Sequence, residues 1–385
     1  MVYFDHNATT PLIPEAQSAW MEAAQQWFAN PSSPHRLGAR AANALDQARE
    51  RLAAILGCHA LDIVWTSGAT ESNNQVLHHA AAVLAKDQEV WISAMEHPCV
   101  LLTAAHLFPG RHRLLPVSRE GVVQCEALET LAKSSKPGWV IVMAANNETG
   151  VVQPWKNVSA WCAERKVLFH CDAAQWLGKL PAEGLGQCDF VSGCAHKFGG
   201  PKGVGFLKCP HQGIVHPLLR GGSQEEGRRA GTENVAGALA LVRALEVAEE
   251  SLKPPSHRAA AARLFRDEFE SELRARCPGI EGVGQSTERL WNTSAVLMPE
   301  ADCQQRWVVR LDREGFAVST GSACASGREK PSHVLRAMGY SDAEAARMLR
   351  FSSGRGTTRE DWQQLLAAVI KIAESSQQRV PTSSS

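Results

Sequence analysis

The chain has no excess of either charge: 40 Lys and Arg stand against 40 Asp and Glu in 385 residues. A balanced surface offers no general attraction to nucleic acid or an anionic membrane, so electrostatic recognition has to be local. No apolar run approaches the length of a membrane span. The start, Met1-Val2-Tyr3-Phe4-Asp5-His6, lacks the basic segment followed by an apolar one that a secretory signal needs, so a cytoplasmic protein is expected. The 11 cysteines are odd in number and include no Cys-x-x-Cys pair. That argues against both a disulfide framework and a zinc site, and no metal is expected. Internal repeats are absent, and low complexity is confined to the serine-rich end.

What is present is an alternation of apolar, strand-like runs with helical stretches. Ile63-Val64-Trp65, Val90-Trp91-Ile92 and Val140-Ile141-Val142-Met143 predict an α/β layer with a mainly parallel sheet. A helical stretch from Val235 to Leu252 meets two prolines in Lys253-Pro254-Pro255-Ser256, and another begins near His257. The expected division is a large domain over 14–253 and a small domain made of 1–13 with 254–379. Residues 380–385 are expected to be a disordered tail.

Two short apolar runs, Val167-Leu168-Phe169 and Asp189-Phe190-Val191, each deliver polar residues at their carboxyl ends: Asp172 with Gln175, then Cys194, His196 and Lys197. Ligands of open α/β sheets bind at that edge. A lysine beside glycines is commonly a surface loop, and Asp172 could cap a helix. Together, though, a lysine for a Schiff base and an acid for a pyridinium nitrogen are what pyridoxal phosphate requires. Thr66-Ser67-Gly68-Ala69-Thr70-Glu71 follows a strand and opens a helix, an arrangement whose free N–H groups suit a phosphate. His97 follows the strand ending at Ser93, where an imidazole can stack on a ring or shuttle protons. Asn146-Asn147-Glu148 offers amide donors to a carboxylate, although Asn and Gly there also favour a plain turn. Arg350 lies in a strand-like run and needs a carboxylate, from a salt bridge or from a ligand.

Cys324 stands in Gly321-Ser322-Ala323-Cys324-Ala325-Ser326-Gly327, whose small residues imply an accessible loop and a reactive thiol. The other ten cysteines are expected to be buried and inert.

With these pieces assembled, the chain resembles the cysteine desulfurases, in the class V aminotransferase group of fold-type I pyridoxal phosphate enzymes. The resemblance runs through Asp5-His6-Asn7-Ala8-Thr9-Thr10-Pro11, Ser67-Gly68-Ala69-Thr70-Glu71-Ser72, Asp172-Ala173-Ala174-Gln175, His196-Lys197, Arg229-Ala230-Gly231-Thr232-Glu233-Asn234, Gly321-Ser322-Ala323-Cys324 and Arg350-Phe351-Ser352. It implies a large domain with a mainly parallel sheet flanked by helices and a smaller C-terminal α+β domain. It also implies a homodimer that converts L-cysteine to alanine and hands the sulfur to a protein acceptor, such as an iron–sulfur scaffold or a sulfur carrier.

By that resemblance Lys197 carries the cofactor, Asp172 pairs with its ring nitrogen, Gln175 contacts its phenolic oxygen and His97 stacks on the ring. Ala69, Thr70 and His196 form the phosphate cup, with Thr232 entering from the other subunit. Asn147 and Arg350 hold the substrate carboxylate, and Cys324 receives the sulfur. Two departures stand out. Cys194 occupies a phosphate position where a Ser or Thr hydroxyl is usual, and a thiol is a weaker donor. Glu226 replaces a usual basic residue, and Arg328-Glu329-Lys330 also differs from the commonest version. A selenocysteine lyase, another class V aminotransferase-like enzyme and a non-catalytic sulfur-pathway binding protein are the competing readings.

Overall fold

The computed structural model describes residues 1–211, 215–254, 256, 258–299, 304–320 and 331–377. Seven strands form the main sheet, in the spatial order Ile63–Thr66, Gly205–Lys208, Phe190–Cys194, Leu168–Asp172, Pro137–Ile141, Glu89–Ser93, His112–Leu115. Gly205–Lys208 runs antiparallel to both its neighbours, and the other pairings are parallel. Ile63–Thr66 and Phe190–Cys194 are buried at every position, as a sheet covered on both faces requires.

Helices cover each face because each presents one apolar stripe. In Arg36–Leu56 the buried Ala41, Ala44, Leu45, Ala48, Leu52 and Leu56 recur at three- and four-residue intervals, and Gly57 ends the helix in the left-handed region at φ 74°. The Val235–Leu252 helix stops at Lys253, and the next helix spans Arg258–Arg276. The last one runs Arg359–Gln377.

A separate core gathers Phe4, Phe269, Leu273, Leu349, Phe351, Trp362 and Leu365. It lies beneath an antiparallel sheet of Met348–Ser352, Thr293–Leu297 and Glu281–Gly282. The N-terminal strand Val2–Tyr3 pairs in parallel with Phe316–Ala317. Asp5 then bridges to Ser352, so the first residues of the chain are stitched to its C-terminal third before they reach the large sheet.

Histidines inside this structure set its acid sensitivity. Burial pushes His170 down to about 3, and pushes His6 and His79 down to about 4, with Lys179 and His216 adding to the effect on the latter two. These groups fold neutral, whereas the unfolded chain takes up protons near pH 6.5. Stability from a depressed histidine is therefore complete above 6.5 and lost as pH falls toward the folded value. Fully buried His170 alone contributes a slope of roughly 1.4 kcal/mol per pH unit across that window. The urea midpoint should drop steadily from pH 7 to pH 5, and a midpoint that stays level over that range would contradict this account.

Candidate active site

The carboxyl ends of the parallel strands open into a cavity of about 880 Å³. It is lined by Ala69, Thr70, His97, Asn147, Asp172, Gln175, Cys194, His196, Lys197 and Arg350 among others. Every proposed cofactor and substrate ligand among the described residues is thus in one place, with a single exception. Thr232 is exposed and does not line the cavity of its own chain. Cys324 lies outside the described residues.

Asp172 ends its strand and is 4% exposed. Its Oδ2 accepts from Asn73 Nδ2 at 2.7 Å and its Oδ1 from the Ala174 amide at 2.9 Å. Asn73 is itself fixed, because its Oδ1 accepts from Ser192 Oγ at 2.6 Å. Sequence reasoning passed over Asn73. The available signal was a polar residue one helical turn after Ala69, on the face that the helix turns toward the sheet.

Lys197 Nζ donates to the carbonyls of Asn7 (2.6 Å) and Ala8 (2.8 Å). Burial lowers its pKa, and Arg350 adds to this against the opposing pull of Cys194, Asp172 and Asp5. A lysine amine so placed gives up its proton more readily than a surface lysine.

His97 caps the helix Pro98–Leu107. Its Nδ1 accepts the Cys99 amide at 3.2 Å, which leaves the proton of the neutral ring on Nε2. Although the side chain is accessible in the open cleft, desolvation by surrounding protein lowers its pKa. Lys197 and His333 reinforce that, and Asp172 opposes it. Beside it Glu96 is fully buried; its Oε1 accepts the Met143 amide at 2.6 Å. Burial and the nearby Asp172 raise its pKa well above the ordinary carboxylate range, which favours its neutral form.

The helix Ala69–Val83 points its N-terminus at the cavity. First-turn amides of a helix have no intrahelical acceptor and attract an anion. Gly68 and Gly205 let the two backbones meet there: a Cβ on Gly205 would lie 2.6 Å from the Gly68 Cα. Glu71 also lines this end, but its carboxylate is paired with Arg229 Nε at 2.8 Å and accepts the Ser67 amide. Cys194 is buried next to the Ala69 amide, and burial pushes its thiol up to about 11. It therefore stays a thiol, not a second negative charge.

Arg350 meets a protein carboxylate: Nη2 pairs with Asp5 Oδ1 at 2.5 Å and Nη1 donates to the Asn147 carbonyl at 2.8 Å. Its Nε has no partner among the described residues. The backbone of Arg350 is also paired with Ser319. On the far side of 321–330, Ser332 Oγ donates to Glu148 at 2.5 Å and His333 Nε2 to the Glu96 carbonyl at 2.9 Å. Both flanks of the segment that contains Cys324 are thus anchored to residues adjacent to cavity ligands.

The expectation that all other cysteines are buried needs correction. Of the nine described, Cys58, Cys99 and Cys125 are only partly buried, and both Cys99 and Cys194 line the cavity. Cys99 sits within 3.0 Å of His97 Nδ1 and 3.3 Å of Asn73 Nδ2, so polar neighbours replace the apolar shell expected of it. The described cysteines form no disulfide.

No described group of His, Cys, Asp and Glu could hold a metal ion. None of the described helices is long and apolar enough to cross a membrane.

Comparison with known proteins identifies the family. Residues 2–365 match the aminotransferase class-V family model. A cysteine desulfurase of Cereibacter sphaeroides is 40% identical over 379 residues, 97% of this chain and 96% of that protein. A cysteine desulfurase IscS of Dictyoglomus turgidum is 37% identical, covering 97% of this chain and 94% of the relative. Among solved structures, a NifS-like protein superposes with a TM-score of 0.87 at 32% identity, over 97% of this chain and 99% of its own. SspA in complex with cysteine gives 0.79 at 31%, over 91% and 98%. The chain belongs to the class-V aminotransferase family, in its cysteine desulfurase group.

Proposed function

We propose that the protein binds pyridoxal 5'-phosphate in this cavity, converts L-cysteine to L-alanine and receives the sulfur on Cys324 as a persulfide. The observation that carries the reading is the convergence in one cleft of a buried acid, a lysine of lowered pKa, a helix N-terminus and an arginine with a nitrogen that has no partner among the described residues. These residues fit the cofactor. The close Gly68–Gly205 approach opens the helix N-terminus to a phosphate, Asp172 suits a ring nitrogen, and Lys197 suits an aldehyde. When bound, pyridoxal phosphate supplies an electrophilic carbon for amines and an electron sink for a carbanion.

The protein's own groups do the rest. Lys197 Nζ, whose burial lowers the cost of deprotonation, would hold the cofactor and is the base placed to take the substrate α-proton. Asn73 and the Ala174 amide hold Asp172 in place, so its carboxylate need not reorganise during the reaction. Arg350 and Asn147 orient the substrate carboxylate, with Asp5 fixing the guanidinium. His97 covers one side of the site. The Cys324 thiolate attacks the substrate sulfur: an S–S bond forms, the Cβ–S bond breaks, and its electron pair stays on carbon and takes up a proton to give the methyl group of alanine.

Thr232, exposed and away from its own cavity, supports a homodimer in which each subunit completes the phosphate cup of the other. The core around Phe4, Phe351 and Trp362 supports dividing the chain into 14–253 and a second unit of 1–13 with 254–379. A protein such as an iron–sulfur scaffold or a sulfur carrier would take the persulfide onward.

The test is to load the protein with pyridoxal phosphate, add L-cysteine, quantify alanine and map the extra sulfur after alkylation. One alanine per added sulfur on the Cys324 peptide is expected. Alanine release that continues without any sulfur on that peptide would favour the selenocysteine lyase or aminotransferase-like reading.

A further inference from the structure

Lys179 is 4% exposed, and no carboxylate pairs with it among the described residues. Burying an ammonium without a counter-charge is costly, so its position calls for a reason beyond packing. Both its acceptors are neutral: Asn7 Oδ1 at 3.2 Å and Gln175 Oε1 in a very short contact.

Burial, with Lys197 and Arg350 nearby, lowers the pKa of Lys179 well below the ordinary lysine value, and since the Asn7 carbonyl can only accept, it takes the nitrogen end of the Gln175 amide and leaves the oxygen facing Lys179. That settles the orientation of Gln175. With Oε1 held by Lys179, Nε2 gives one hydrogen to the Asn7 carbonyl at 2.9 Å and keeps the other for the cavity that Gln175 lines. The same logic fixes Asn7. Its Oδ1 also accepts from Asn292 at 3.1 Å, and its Nδ2 donates to Thr293 Oγ1 at 2.9 Å and to the Asn147 carbonyl at 3.2 Å. The Asn7 carbonyl in turn receives Lys197.

We propose that Lys179 is a positioning residue for the cofactor: by holding Gln175 Oε1 and Asn7 Oδ1, it presents an N–H of Gln175 to the phenolic oxygen of pyridoxal phosphate and fixes the carbonyl that receives Lys197. This rests on the assignment of Lys197 and Gln175 under the proposed function. Without Lys179 the Gln175 amide can turn over and aim its own oxygen at that anionic atom.

The experiment is a double-mutant cycle read as the dissociation constant of pyridoxal phosphate titrated into apo-protein, together with the pH midpoint of the visible absorbance of the loaded protein. Lys179→Met should weaken binding about tenfold, the loss expected when one partner of a buried hydrogen bond is removed. Its midpoint should move in the same direction as that of Gln175→Ala. The double variant should lose clearly less than the two single losses combined, because Lys179 acts in large part through Gln175 and only the share that runs through Asn7 survives in the Gln175→Ala background. An equal loss from Lys179→Met in both backgrounds, or no loss in either, overturns the proposal. Should Lys179→Met fail to fold, Lys179→Gln is read in the same way. A wild-type control separates the two levels of inference. Borohydride should fix the pyridoxyl group to Lys197: a label elsewhere overturns the site assignment and this proposal together, whereas a correct label with an additive cycle overturns only the role of Lys179.

Discussion

Lys197→Ala should yield a folded protein that borohydride cannot label with pyridoxal and whose release of alanine from cysteine is reduced roughly 10³-fold or more. Two other lysines are close enough to be considered as substitutes. Lys179 is spent on Asn7 and Gln175 and is buried away from the cavity lining. Lys202 lines the cavity, but among the described residues it makes no bond to the Asn7 and Ala8 carbonyls that receive Lys197. Peptide mapping of the reduced wild-type protein decides between them, and a pyridoxyl group found on Lys202 would overturn the assignment. The small side chain should be tolerated, because Lys197 lies at the cavity wall and the short helical turn Ala195–Lys197 is held by backbone bonds to Thr10, Phe198 and Gly200.

Cys324→Ala is the complementary case. Cofactor absorbance and cysteine binding should persist, while catalytic release of alanine falls to background. Lys197 can take the α-proton without a thiol, but the Cβ–S bond breaks only if a nucleophile accepts the sulfur. The absorbance change that follows cysteine addition should therefore persist in the variant instead of decaying. Selenocysteine should retain some turnover, since selenium leaves more readily. Wild-type rates of alanine release from cysteine in Cys324→Ala would reject the desulfurase mechanism.

Much of this site is legible in the sequence because an open α/β sheet delivers its ligands at strand ends, and those ends are marked by short apolar runs. Asp172, Lys197, His97 and the Gly68-Ala69-Thr70 turn each follow such a run, and all line one cavity. What the sequence hid was the set of contacts that hold them. Asn73 looks like an ordinary helical polar residue, yet its neighbours are Asp172 and Ser192, far away in the chain. Lys179 reads as a surface lysine until the N-terminal segment is laid over it. Arg350 announced a need for a carboxylate, but only the packing of the first strand against Phe316–Ala317 and Ser352 shows that Asp5 supplies one. Cys99 was misjudged because cysteine is buried among apolar groups on average, and that average knows nothing of a cavity wall.

The long reach of the N-terminal segment has a consequence in time. Asp5 and Arg350 are 345 residues apart in sequence, as are Asn7 and Ser352, and both pairs close the same wall of the site. At about 5–20 residues per second a ribosome needs roughly 17–70 s to travel that distance. Asn292 and Thr293 are made only toward the end of that interval and Ser352 at its close, so until then Asn7 lacks its dock and Lys197 the fixed carbonyl that receives it. Such pairings of very high sequence separation also form late in folding, since loop closure must precede them. The nascent chain can build its large sheet early, but the pocket that holds the reactive lysine is completed only after the last strand has left the ribosome.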